Sequence, residues 1–315
     1  MTARILAPTA EALAEAARIL ARGGLVAFPT ETVYGLGANA LDEAAVARIF
    51  AAKGRPATNP LIVHVESEAA ARALARRWPE AAARLAAAHW PGPLTLVVEK
   101  AGTIPAAVTA GGGTVGLRVP AHPVALALLR ACGLPLAAPS ANRSEAISPT
   151  TALHVADSLG PFVEDLLILD GGPCRVGIES TVVDVTGAAP VVLRPGMLRL
   201  EAAPPAGTKP EPDATTHEES DAETDAPARS PGQRARHYAP GKPLVLVGDP
   251  NEVGAPRPGD GILRLPGTPD AAAAVLYAEL RRLDADPRVE RIVVVLPPED
   301  EAWSAIRDRL RRAAH

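Results

Sequence analysis

Residues 25–65, LVAFPTETVYGLGANALDEAAVARIFAAKGRPATNPLIVHV, constrain this chain more than any other passage. An apolar run, Leu25 to Phe28, breaks at Pro29 into Thr30-Glu31-Thr32. It then passes through Gly35 and Gly37 into a helical pattern with Val46, Ile49 and Phe50 on one face. That helix ends near Lys53-Gly54-Arg55-Pro56, and Leu61 to Val65 reads as a second strand. Hydroxyls occupy the first polar turn and two cations the second. Singly, each has a plain structural account: caps for Thr30 and Thr32, positive φ for the glycines, a helix C-terminus for Lys53. Together, Lys-Gly-Arg-Pro followed by Asn59-Pro60 fixes two cations on a stiff loop beside a strand end, where open α/β sheets take anionic ligands.

Alternation adds two buried-face candidates. Leu61, Val63 and Val65 point one way and Ile62 and His64 the other. Val115, Leu117 and Val119 leave Gly116 and Arg118 on the opposite face. An arginine in an apolar strand needs an anion, because an unpaired buried guanidinium is too costly. Its partner is either a protein carboxylate or a substrate carboxylate held bidentately. Gly111-Gly112-Gly113-Thr114 is a flexible loop or a set of backbone N–H donors for a phosphate. In Pro139-Ser140-Ala141-Asn142, small residues beside a hydroxyl and an amide allow close approach of a ligand, or form a simple helix cap.

Strands and helices alternate to residue 200, which predicts an α/β architecture with at least partly parallel strands and loops converging on one cleft. Residues 201–229 then shift to Pro, Ala, Thr and eight acidic residues against one Lys and one Arg, the composition of a mobile tether. Residues 230–240, SPGQRARHYAP, are basic, carry Tyr238 and are framed by prolines, as a docking segment would be. Residues 241–315 carry a second strand and helix pattern that predicts a small open sheet, with Trp303 and Ile306 in its core. The expected division is therefore 1–200, 201–240 and 241–315.

The chain has 315 residues, 47% of them hydrophobic and only 3% aromatic, so its core must be built mainly of Ala, Val, Leu and Ile. A net charge of −4 argues against a whole-molecule nucleic-acid footprint. No apolar run reaches the roughly 18 residues of a spanning helix and the N-terminus lacks a signal-peptide core, so a soluble, cytoplasmic protein without membrane contact is expected. Cys132 and Cys174 make no C-x-x-C pair, and neither zinc-ligand spacing nor P-loop nor Rossmann fingerprint is present.

Six motifs, PTETVYGLG, KGRPATNPLIVHV, WPGPLTLVV, VGLRVP, APSAN and SPGQRARHYAP, resemble in this order the threonylcarbamoyl-AMP synthase family in its long form. The resemblance implies a YrdC-like twisted mixed sheet with helices around an open cleft, a linker, and a small Rossmann-like α/β C-terminal domain. It also implies condensation of L-threonine, bicarbonate and ATP, with Mg2+ carried on the ATP phosphates and no protein-bound metal. The product would feed the tRNA threonylcarbamoyl transferase machinery, and weak contact with RNA stays open. By the same resemblance Thr32, His64, Arg118 and Ser180 hold L-threonine, Arg118 on its carboxylate, with Ala138 contributing backbone contact. Lys53, Arg55, Asn59, Thr114, Ser140, Asn142, Ser148 and Arg194 form the ATP side, Lys53 and Arg55 supplying catalytic charge, and Tyr238 is delivered from the linker as part of a lid. No residue stands out as a general base. Two alternatives are an RNA-binding YrdC-like module and a carbamoyl-transfer enzyme of the hydrogenase-maturation type, although the zinc-finger and acylphosphatase-like modules of the latter have no counterpart in the sequence.

Overall fold

The structure, a computed structural model, describes residues 3–200, 237–248 and 257–314. The predicted tether, 201–229, and the first part of the predicted lid, 230–236, lie outside the described residues. In chain order the elements are β1 Arg4–Leu6, α1 Ala10–Ala21, β2 Val26–Phe28, β3 Gly35–Asn39, α2 Glu43–Lys53, β4 Ile62–His64, α3 Glu68–Ala73 and α4 Glu80–His89. They continue as β5 Leu94–Glu99, β6 Thr114–Arg118, α5 Pro123–Cys132, β7 Leu136–Ala137, α6 Ala152–Leu159, β8 Leu167–Leu169, β9 Thr181–Asp184 and β10 Val191–Arg194. The C-terminal unit contributes β11 Leu244–Val247, β12 Asp260–Leu263, α7 Pro269–Ala285, β13 Arg291–Val295 and α8 Ser304–Ala313.

Local chemistry explains the helix limits. Asp42 caps α2 by accepting from the Ala44 and Ala45 N–H groups, and the helix stops at Gly54 in the left-handed conformation. Pro123 opens α5 behind His122, and Gly133 closes it in the same left-handed way. The passage through Gly35 and Gly37, expected to run from turn directly into helix, instead forms β3, antiparallel to β2. Glycine lowers the strand signal of a sequence, yet here it is required. A Cβ on Gly37 would lie 2.7 Å from the Phe28 ring, which packs across the strand at that point.

Ten strands form one mixed sheet in the order β1-β8-β2-β3-β7-β4-β6-β5-β9-β10. Parallel β4 and β6 are paired so that Ile62 stands beside Gly116 and His64 beside Arg118. An apolar layer of α1 and α5 covers the β2 and β8 end, and a larger core of Ala, Val, Leu and Ile lies across the rest of the sheet. The C-terminal strands make a parallel three-stranded sheet, β11-β13-β12. Trp303 and Ile306 are buried in its core, which also takes in Val33, Ile147 and Ile178 from the larger unit. That shared apolar layer fixes the smaller unit against the loops of the larger one. No helix among the described residues is long and apolar enough to cross a membrane.

Candidate active site

The β2–β3 turn ties itself before it meets anything else. Thr30 Oγ1 donates to the Val33 carbonyl at 2.6 Å and lies 2.8 Å from the Thr32 hydroxyl. Thr30 is thus a turn residue, and Thr32 is left facing Arg118, whose Nη2 donates to Thr32 Oγ1 at 2.9 Å. The same nitrogen pairs with Glu31 Oε1 at 2.8 Å, and Glu31 Oε2 accepts from the Ala121 N–H at 3.0 Å. Arg118 therefore has the protein carboxylate its burial requires, and its Nε lies 3.4 Å from the Gly92 carbonyl oxygen. His64 stands beside it, buried, with its Nδ1 unpartnered among the described residues and the Phe28 ring edge-on at 6.2 Å. Burial and then the Arg118 charge lower its pKa to about 3, so the imidazole is neutral.

A second group of cations lies across the cavity. Lys53 Nζ donates to the Ser140 carbonyl at 2.6 Å and also to that of Asn142. Burial, then Arg55 and Arg143, push its pKa well below the usual lysine value. Arg55 holds the Asn59 and Pro60 carbonyls at 3.1 and 2.8 Å. Arg194 grips Ser180, its Nη2 lying 3.0 Å from the carbonyl and 3.1 Å from Oγ, while Ser180 Oγ is 2.8 Å from Thr95 Oγ1.

One cavity unites these groups. Its lining includes Thr32, Arg55, His64, Arg118, Ala138, Ser140, Ser180, Arg194 and Tyr238, gathered from motifs scattered along the sequence. Lys53, Asn59, Asn142 and Ser148 are buried but are not among its lining residues. Thr114 lies outside it, at the start of β6, about 13 Å along the strand from Arg118. The void itself is about 50 Å3, far below the roughly 300–1,000 Å3 of open small-molecule sites. His237 and Tyr238 form part of its wall, and Tyr238 adopts a positive φ of 63°.

Three participants lie beyond the sequence reading, Glu179, Tyr277 and Arg309, while His237 comes from the predicted lid without a role assigned to it there. Glu179 accepts from Ser148 Oγ at 2.6 Å, Tyr277 OH at 2.9 Å and Arg309 Nε at 2.9 Å. Burial opposes its charge, but Arg309, Arg194 and Ser148 outweigh burial and hold its pKa at about 2. The Tyr238 ring stacks on Tyr277 at 5.7 Å, with the Arg309 guanidinium 5.1 Å from its centroid. The only local signal for Arg309 was its place on the apolar stripe of α8, three residues after Ile306.

A mixed α/β sheet whose loops bring the neutral imidazole of His64 together with buried cations defines an α/β protein with a buried, positively charged pocket of the kind that suits anions. A family model described as telomere recombination matches residues 18–196, and one described as threonylcarbamoyl-AMP synthase, C-terminal domain, matches residues 197–315. The threonylcarbamoyl-AMP synthase of Pyrococcus abyssi is 47% identical over 237 residues, 75% of this chain and 68% of that protein. The Bacillus subtilis protein of the same name is 42% identical over 243 residues, 76% of this chain and 68% of its own length. A crystal structure of P. abyssi Sua5 complexed with L-threonine superposes with a TM-score of 0.84 at 39% identity, over 96% of this chain and 94% of that one. The chain belongs to the threonylcarbamoyl-AMP synthase family.

Proposed function

We propose that this chain condenses L-threonine, bicarbonate and ATP into threonylcarbamoyl-AMP and pyrophosphate, supplying the adenylate for threonylcarbamoyladenosine formation in tRNA. The observation that carries the reading is the meeting of Thr32, His64, Arg118 and Ser180 with Arg55, Ser140, Arg194 and Tyr238 around one buried cavity.

In this reading Arg118 takes the threonine carboxylate on the face that Glu31 leaves, and Thr32, Ser180 and the Ala138 backbone orient the amino acid. The threonine nitrogen bonds to the carbon of bicarbonate, or of carbon dioxide derived from it, to give a carbamate. A carbamate oxygen then attacks the α-phosphorus of ATP and pyrophosphate departs. Arg55, Lys53 and Arg194 offset the charge gathering on the phosphates, and Ser140, Asn142, Ser148, Asn59 and Thr114 complete the nucleotide side. A cationic set of this kind fits phosphate oxygens, and magnesium would arrive on the phosphates themselves. Residues 1–200 form the catalytic unit, and residues 241–315 support Tyr238 from behind through Tyr277 and Arg309. Tyr238 then shields the mixed anhydride from water.

Pyrophosphate release from ATP, measured with and without L-threonine and bicarbonate, tests the proposal. Release that requires both substrates is the expected result. Release that ignores threonine would overturn it.

A further inference from the structure

The reaction proposed above needs a proton acceptor, because threonine enters as an ammonium ion and only its free amine is nucleophilic. We infer that His237 is the catalytic residue that takes this proton, an assignment that rests on the proposed function. Its imidazole lines the same cavity as Thr32 and Arg118, is 7% exposed, and has an Nδ1 that is buried without a partner among the described residues. A buried nitrogen of that kind is costly unless something comes to meet it. The ring is also held in place. Its backbone N–H donates to the Arg312 carbonyl at 3.1 Å, and its ring stands edge-on to Tyr238 with centroids 4.0 Å apart.

The charged groups around His237 distinguish it from His64. Glu179, Arg55, Lys53 and Arg194 all act on His237, whereas Arg118 is the charged neighbour of His64. Burial dominates, Glu179 favours the charged ring, and the three cations oppose it, leaving a neutral imidazole with a pKa of about 3. Those same cations are the ones assigned above to the phosphates. Nucleotide binding sets negative charge among them, which favours imidazolium and strengthens the base. His237 is therefore a weak acceptor until ATP is bound, and proton removal follows nucleotide loading.

The step balances without another reagent. The threonine ammonium gives one proton to the His237 imidazole. Its nitrogen then bonds to the carbon of bicarbonate, the carbon–hydroxyl bond breaks, and the departing hydroxide leaves as water with a second proton from nitrogen. The carbamate keeps the third nitrogen-bound proton, and the imidazolium returns its proton to solvent as product leaves.

The full-length chain with His237→Phe, which keeps a ring against Tyr238 and removes both nitrogens, tests the assignment beside His237→Ala with added imidazole. Thermal unfolding of each variant establishes that it folds. The expected result is a kcat reduced about 100-fold or more with the KM for ATP changed little, loss of the acid limb from the kcat–pH profile, and partial rescue of the alanine variant by imidazole. A folded His237→Phe that retains the acid limb and most of kcat, with the wild-type protein active, removes His237 as the base and leaves the functional reading standing. Wild-type protein without threonine- and bicarbonate-dependent pyrophosphate release removes both.

Discussion

Arg309 Nε lies 2.9 Å from Glu179 Oε2, and this buried pair joins the last helix of the C-terminal unit to the loop that precedes β9. Removing one partner strands the other in a dry interior, at a typical cost of about 3–5 kcal/mol. Arg309→Met is expected to lower stability by that order in urea unfolding, and Arg309→Met with Glu179→Gln should recover a large part of the loss. A double-variant loss equal to the sum of the Arg309→Met and Glu179→Gln losses measured singly would show that the pair carries no coupling.

Acid should weaken this fold in two stages. His64 and His237, each with a folded pKa of about 3 against an ordinary value of 6.5, keep their contribution above pH 6.5 and lose it progressively as pH falls towards 3. Glu179, with a pKa lowered to about 2 from 4.5, contributes fully above pH 4.5 and loses its contribution between 4.5 and 2. Its share is roughly 3 kcal/mol, from the free energy of a shift of this size. Urea midpoints between pH 8 and pH 3 check the order, and a Glu179→Gln variant should lack the second stage.

Arg118 holds Glu31 and Thr32 through one nitrogen, so its planar fork matters more than its charge. Arg118→Lys is expected to raise the KM for threonine more than 10-fold while the KM for ATP moves by less than about threefold, on the scale of one charge-assisted hydrogen bond. Steady-state kinetics with each substrate varied in turn measure the split. Equal shifts for the two substrates would detach Arg118 from the amino acid.

Gly177 has a φ of 83°, and a Cβ there would fall on the Ala273 carbonyl oxygen of α7. Gly177→Ala is expected to cost at least the 1–2 kcal/mol of a left-handed non-glycine residue, with the clash against α7 in addition. Its signature is a lowered melting temperature with weaker ATP binding, as α7 carries Tyr277 beneath Tyr238. An unchanged melting temperature would mean that the two units slide past each other freely.

The alternation within residues 61–65 and 115–119 revealed that His64 and Arg118 each leave the apolar face of a strand. It did not reveal that parallel pairing sets them side by side, because register depends on two strands at once. Lys53, Arg55 and the Thr30–Thr32 turn were legible as a polar frame, since stiff Pro and Gly neighbours mark them locally. β3 was hidden by its own glycines, whose role is to admit the Phe28 ring. Glu179, Tyr277 and Arg309 escaped for a different reason. Their hydrogen bonds join residues 98 and 130 positions apart, and no periodicity within either segment encodes such a meeting.

A void near 50 Å3, walled in part by His237 and Tyr238, leaves little room beside those two side chains, which points to movement of that wall as a substrate settles there. Entry then becomes a property of the protein as much as of the visitor. At high nucleotide concentration the observed association rate should level off at the speed of that opening instead of climbing in proportion to concentration, and measured affinities will understate the strength of the contacts finally made.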